Sequence, residues 1–150
     1  MLGMSDWASW LGRTARTTRW LDAHQANLLR VTLDREPSLE AGDELPLAWQ
    51  WIYFPDMVAT TDLGEEGHPR LGLVMPPVPL TRRMWGAGRF EWRRPLRLGT
   101  EVTRVSTIEA IEPKQGRRGP LFLVTVRHDF LTAGQVDLVA RRLDDRVRIE

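Results

Sequence analysis

Residues 121–131 read Leu121-Phe122-Leu123-Val124-Thr125-Val126-Arg127-His128-Asp129-Phe130-Leu131. Phe122, Val124, Val126, His128 and Phe130 fall on one side of the alternation; Leu121, Leu123, Thr125, Arg127 and Asp129 fall on the other. This period of two predicts a strand with its first face toward a core. Thr132 to Gln135 then reads as a turn, and Val136, Leu138 and Ala140, running on through Arg141 to Leu143, as a final strand. On the other side, the charged, glycine-containing segment from Pro113 to Pro120 reads as a hairpin loop. A long strand over 101–112 precedes it, with Val105, Thr107 and Ile111 on one face and Ser106, Ile108 and Ala110 on the other. Before a break from Pro95 to Gly99, Phe90 and Trp92 alternate with Arg89, Glu91 and Arg93 in a fourth strand.

Farther upstream the pattern changes. Thr14 to Trp20 reads as a short strand. A helix follows, with Asp22 as its cap and Gln25 three residues on. Ala26, Leu29 and Leu33 fall on one face, and Pro37 places the end near Glu36. A loop over 37–48 leads to the aromatic patch Trp49-Gln50-Trp51-Ile52-Tyr53-Phe54-Pro55. Residues 62–70 read as an exposed turn region. In Met75-Pro76-Pro77-Val78-Pro79-Leu80, three prolines in four residues favour a stiff extended segment. Gly86 and Gly88, beside Trp85, read as a loop leading into the strands. One helix against an antiparallel sheet of about five strands is an α+β architecture.

Composition narrows the function. At 150 residues, one domain over 1–150 is expected. Hydrophobic residues at 42% and a net charge of +1 argue against a disordered chain. No apolar run approaches the roughly 20 residues of a membrane span. Asp6, Arg13, Arg16 and Arg19 interrupt any apolar signal segment, so a cytoplasmic location without membrane partners is expected. The absence of cysteine excludes disulfides, thiolate catalysis and cysteine-ligated metals. Residues 1–75 carry 6 basic and 11 acidic side chains, while residues 76–150 carry 15 and 9. The second half is therefore suited to an anion. Its arginines alternate with apolar residues and form no run of five, so no nucleic-acid partner is expected.

Several segments then carry a resemblance. They are Gly67-His68-Pro69-Arg70, Met75 to Leu80, Arg82-Arg83-Met84-Trp85, Gly88-Arg89-Phe90, Arg94-Pro95-Leu96, Lys114-Gln115-Gly116 and Gly119 to Val126. Together with Trp49-Gln50-Trp51 and the opening stretch from Asp6-Trp7 to Arg13-Thr14, they resemble the MaoC-like dehydratases. The match is to the N-terminal half of the branch containing mesaconyl-CoA and 3-methylfumaryl-CoA hydratases. The resemblance implies a hotdog fold, one central helix wrapped by a curved antiparallel sheet. It also implies reversible addition of water to a 2-enoyl-CoA ester, with coenzyme A as part of the substrate and no other cofactor. Members of the branch carry two hotdogs, and the hydration residues, an Asp and a His, belong to the second. No Asp-x-Asn-Pro-x-His segment occurs here. The implied role is a non-catalytic hotdog that pairs with a catalytic one and completes its acyl-CoA pocket. Hotdogs also pair by extending an exposed sheet edge, so a homodimer or heterodimer is expected.

The residues leave other functions open: an acyl-CoA-binding or scaffolding module, or a self-sufficient homodimeric hydratase or thioesterase. Hydration needs a base, an acid and a polarised carbonyl. Of three histidines, His24 reads as surface and His128 as a buried, hydrogen-bonded core residue; His68, near Glu65 and Glu66, is a weak catalytic candidate. A carboxylate such as Asp56 would serve the self-sufficient alternative. No metal-ligand spacing occurs, so no metal is expected. Arg82, Arg83, Lys114, Arg117 and Arg118 are the anion-binding candidates for the coenzyme A phosphates. Trp51, Tyr53, Met75 and Trp85 are candidates for a pocket wall around the acyl or pantetheine group.

Overall fold

A computed structural model describes residues 6–80 and 82–147, the last seven of these as backbone. Five strands form one antiparallel sheet: β1 (Thr14–Trp20), β2 (Arg82–Trp92), β3 (Glu101–Gly116), β4 (Gly119–Thr132) and β5 (Gln135–Val147), in the order β1-β3-β4-β5-β2. One α-helix, α1 (Ala23–Thr32), follows β1. Short 3₁₀ turns stand at Trp7–Trp10, Trp49–Tyr53 and Thr60–Asp62. The α+β reading and the antiparallel hairpins hold. Among the described residues no helix is long and apolar enough to cross a membrane.

The alternation along β4 is the organising fact. Phe122, Val124, Val126, His128 and Phe130 are all buried, while their neighbours are only half-buried. The main core gathers Leu21, Ala26, Tyr53, Phe54, Leu98, Val102, Phe130 and Leu138. A second apolar group, Met75, Ile108, Val124 and Val126, lies farther along the sheet. The Pro-rich crossing covers it: Val78 and Leu80 pack with Phe122, whose ring meets Trp7 edge-on at 5.2 Å.

Several boundaries differ from the sequence reading. The helix stops at Thr32 rather than Glu36, because Asp34 adopts a left-handed φ of 55°. Aspartate tolerates that conformation and ends the helix there. Leu33 is consequently half exposed, and Ala26 is the buried residue of α1. The expected loop over 113–120 is mostly strand: Pro113 pairs with Phe122 and Gly116 with Gly119, leaving Arg117-Arg118 as a two-residue turn. Gly86 and Gly88 lie within β2, where the register shifts between Trp85 and Ala87. A second shift, between Ile108 and Ala110, makes Glu109 an extra residue. That bulge reverses the alternation and carries Ile111 onto the face shared with Ile108, where it packs against the group of Met75, Ile108, Val124 and Val126.

The start of α1 is tied to the aromatic patch. The Asp22 carboxylate accepts from Gln25 N–H at 2.7 Å, as the cap reading required, and Gln25 Nε2 donates to Ile52 O. The Tyr53 hydroxyl donates to Asp22 O at 2.5 Å. Burial pushes the Tyr53 phenol up to about 12, and the Asp22 carboxylate adds to the rise. In the unfolded chain the phenol ionises near 10. Stability from this group is therefore intact below about pH 10 and falls as pH rises toward the folded value. Urea unfolding at about pH 9 and about pH 11.5 should show the native chain losing up to about 2 kcal/mol more than Tyr53→Phe. Equal losses in both chains would contradict this.

Candidate active-site cleft

Apolar burial is interrupted in the middle of the sheet. On the core face of β3, Arg104 and Ser106 stand between Val102 and Ile108. Register places Arg104 between Thr17 of β1 and Phe130 of β4, and Ser106 between Ala15 and His128. The result is a polar row crossing the sheet between the two apolar groups. A cleft of about 850 Å³ opens over it. The floor is β1, β3 and β4; Trp51 and the chain from Phe54 to Val58 form one wall, and Leu73 to Met75 another.

Each polar group has a definite arrangement. Ser106 Oγ and His128 Nδ1 lie 2.8 Å apart in a hydrogen bond. The Trp51 ring meets His128 edge-on at 5.3 Å and Phe130 at 5.7 Å, which fixes the imidazole between an aromatic and a hydroxyl. Arg104 Nη1 donates to Phe54 O at 2.9 Å, and Nη2 reaches Asp56 Oδ1 at 3.4 Å. Its side chain is only 12% exposed, against 33% for Asp56. Burial pulls the Arg104 guanidinium below the ordinary arginine value; Asp56 opposes this and Arg19 adds to it. At the rim, Arg13 lies over the Trp10 ring at 4.1 Å. Among the described residues, the charged lining comprises Arg13, Arg16, Arg19, Arg83 and Arg104 against one carboxylate, Asp56. The cleft is therefore electropositive, with the polar row in its floor and apolar walls, a combination suited to an anionic ligand with an apolar segment.

Of the residues singled out in the sequence, Trp51, Met75 and Arg83 line this cleft. Arg83 also donates its backbone N–H to Glu66 Oε2 at 3.1 Å. Tyr53 is buried at the foot of α1 and does not line the cleft. Arg82 and Trp85 are exposed on β2. Register aligns Arg82 with Val147, Leu121 and Lys114 in turn, so Arg82 and Lys114 share one end of the sheet with the Arg117-Arg118 turn. Lys114 lies 3.9 Å from Glu112. His68 is exposed in a turn where its carbonyl accepts from Gly64 N–H, and it does not line the cleft. His128, read as a buried core histidine, is buried and hydrogen-bonded but also faces the cleft. Arg104 and Ser106 were missed as site residues. Their signal was two polar residues in alternation with Val102 and Ile108, legible only once β3 is registered against β4.

Comparison with known proteins places this fold. Residues 48–143 match the model of the family described as hydroxyacyl-thioester dehydratase type 2. Over 126 residues, 83% of this chain, it is 36% identical to mesaconyl-C(4)-CoA hydratase of Chloroflexus aurantiacus. The alignment spans 45% of that protein, so the chain spans about half the length of this relative. Among solved structures, the ChsH1-ChsH2 complex of Mycobacterium tuberculosis superposes with a TM-score of 0.64 at 12% identity, covering 90% of this chain and 89% of that one. The HadBC (3R-hydroxyacyl-ACP dehydratase) complex of the same organism gives 0.59 at 12%, covering 91% and 96%. The MaoC-like dehydratase of Rhodospirillum rubrum gives 0.52 at 19%, covering 93% and 94%. The architecture is thus the hotdog fold, and the chain belongs to the hydroxyacyl-thioester dehydratase type 2 family.

Proposed function

We propose that this chain is the pocket-completing hotdog of a MaoC-type hydratase or dehydratase, paired with a second hotdog that supplies the acid and base. The reaction is addition of water across the 2,3 double bond of an enoyl-CoA ester, giving the 3-hydroxyacyl ester, and its reverse. It requires no metal or redox cofactor. The observation that carries this reading is the electropositive cleft with apolar walls. Its arginines suit the coenzyme A phosphates, and Trp51 and Met75 suit the acyl and pantetheine portions. Asp56 is engaged by Arg104, and His128 Nδ1 by Ser106. The name of the Chloroflexus relative makes a mesaconyl ester the first substrate to try.

The partner reading has its own support. β2 is an edge strand, carrying Met84 and Trp85 at 47% and 63% exposure, and an edge of this kind pairs readily with another sheet. Two of the structural relatives are described as complexes. A second reading rests on His128: because it lines the cleft, the chain would act alone with His128, rather than His68, as its base.

Calorimetric titration of the chain with butyryl-CoA tests the binding half of the proposal. Binding is expected, weakening as salt is raised because exposed arginines are screened. Trp51→Ala should weaken it by about tenfold, equivalent to about 1.4 kcal/mol. Absence of any butyryl-CoA binding would overturn the proposal.

A further inference from the structure

Arg104 stands on the buried face of β3, in the polar row between the two apolar groups. It stands opposite Phe130, two residues from Val102, in the row that leads through Ser106 to Ile108. Placing a guanidinium there carries a desolvation penalty unless its hydrogen-bonding capacity is met. It is met only in part. Of the five N–H donors of a guanidinium, one reaches Phe54 O and one reaches Asp56, at 3.4 Å. The others have no partner among the described residues, and Nε is shut off from solvent as well. Asp56 itself is a single-point contact from a wall segment. It is not the two-pronged match that carboxylates give arginine when the geometry is built for it. The surrounding charges do not supply what is missing, since Arg13, Arg16, Arg19 and Arg83 are all cationic.

The geometry points to an anionic end-group as the absent partner, and we propose that Arg104 is the specificity-determining residue that reads a free carboxylate on the acyl chain. This inference rests on the proposed function: the thioester enters the cleft acyl-first, and its far end meets the polar row. A carboxylate seated there accepts from the terminal guanidinium N–H groups that Phe54 O and Asp56 leave over, and displaces or shares Asp56, the resident counter-ion. The phosphates of coenzyme A offer the same anionic chemistry. The apolar walls around Arg104 favour a carboxylate carried on a short hydrocarbon.

The test compares succinyl-CoA with butyryl-CoA, which share chain length and differ in a terminal carboxylate against a methyl group; free coenzyme A reports the phosphates. Titrated into the full chain, succinyl-CoA is expected to bind at least about tenfold tighter than butyryl-CoA, the size of one charge-assisted contact. Arg104→Met should abolish that preference, bringing the succinyl-CoA affinity down to that of butyryl-CoA. Arg104→Lys should retain part of it, since the charge remains and the fork is lost. Asp56→Asn should strengthen succinyl-CoA binding by removing the competing carboxylate. Equal affinity for the two esters in the native chain overturns the inference and leaves the proposed function standing. So does a preference that survives Arg104→Met. A loss shared equally by succinyl-CoA, butyryl-CoA and free coenzyme A assigns Arg104 to the phosphates and also overturns it. If neither ester binds, the proposed function fails and the inference with it. Should Arg104→Met not fold, the native preference and the Asp56→Asn response decide: a weakened or unchanged succinyl-CoA affinity in Asp56→Asn counts against the proposal.

Discussion

Phe130→Ala is expected to lower the unfolding free energy by about 3–5 kcal/mol, the range for emptying an aromatic position in a packed core. Phe130 is fully buried on β4, with Leu138 of β5 and Arg104 of β3 as its register neighbours. Its ring receives Trp51 at 5.7 Å and 77° and Phe54 at 5.3 Å and 74°, both edge-on. These two rings come from the irregular aromatic segment, which has no strand hydrogen bonds to hold it. Phe130 is therefore the anchor through which the sheet fixes the cleft wall. Edge-to-face pairs add about 0.5–1.5 kcal/mol beyond burial, and the alanine variant loses two of them. The cavity left behind lies under Trp51 and beside Arg104, so the cleft loosens as well. Urea unfolding followed by tryptophan fluorescence measures the loss, and a fall in Tm of about 10 °C should accompany it. A loss below about 1 kcal/mol would show that the wall is held by other contacts.

Gly99→Ala should be nearly as damaging, by about 2–4 kcal/mol, and through a different cause. Gly99 has a φ of 75°, a left-handed conformation that costs an ordinary residue roughly 1–2 kcal/mol. A Cβ there would lie 2.9 Å from Ala41 Cβ, so backbone must move to admit it. The turn is also a junction. Gly99 N–H donates to Leu21 O at 2.7 Å, Leu98 N–H to Asp43 O at 2.9 Å, and Leu98 O accepts from Gly42 N–H at 2.8 Å. Through these bonds the start of β3 is tied to the β1–α1 junction and to the loop after the helix. Thermal and urea unfolding of Gly99→Ala check the loss. A companion Ala41→Gly change, which removes the clash while keeping the strain, should recover part of it. No recovery would place the whole effect in the backbone conformation.

Much of the sheet was legible because period two survives any tertiary context in which one face is buried. The β4 alternation gave the strand, its inner face and the burial of His128. Asp22 gave the helix start, since its side chain caps locally. The features that escaped are those without a local code. The helix end depended on Asp34 accepting a positive φ, a choice Pro37 only obscured. The Glu109 bulge cannot be seen along one strand, because it exists only as a mismatch between two. The same reason hid the candidate site. Trp51, Met75 and Arg83 were read from local composition, whereas Arg104 and Ser106 acquire meaning only beside Phe130 and His128. Histidine 68 drew attention for its turn chemistry, and the fold leaves it outside the cleft.

The central claim is that the cleft binds an enoyl thioester without supplying the acid and base that hydrate it. The direct measurement is the loss of conjugated thioester absorbance when a mesaconyl-type enoyl-CoA is mixed with the purified chain, alone and with a MaoC-type catalytic hotdog added. No turnover by the chain alone, and turnover in the pair that exceeds the added hotdog by itself, is the predicted result. Hydration by the chain alone, lost in His128→Gln, would contradict the claim and place the base within this cleft.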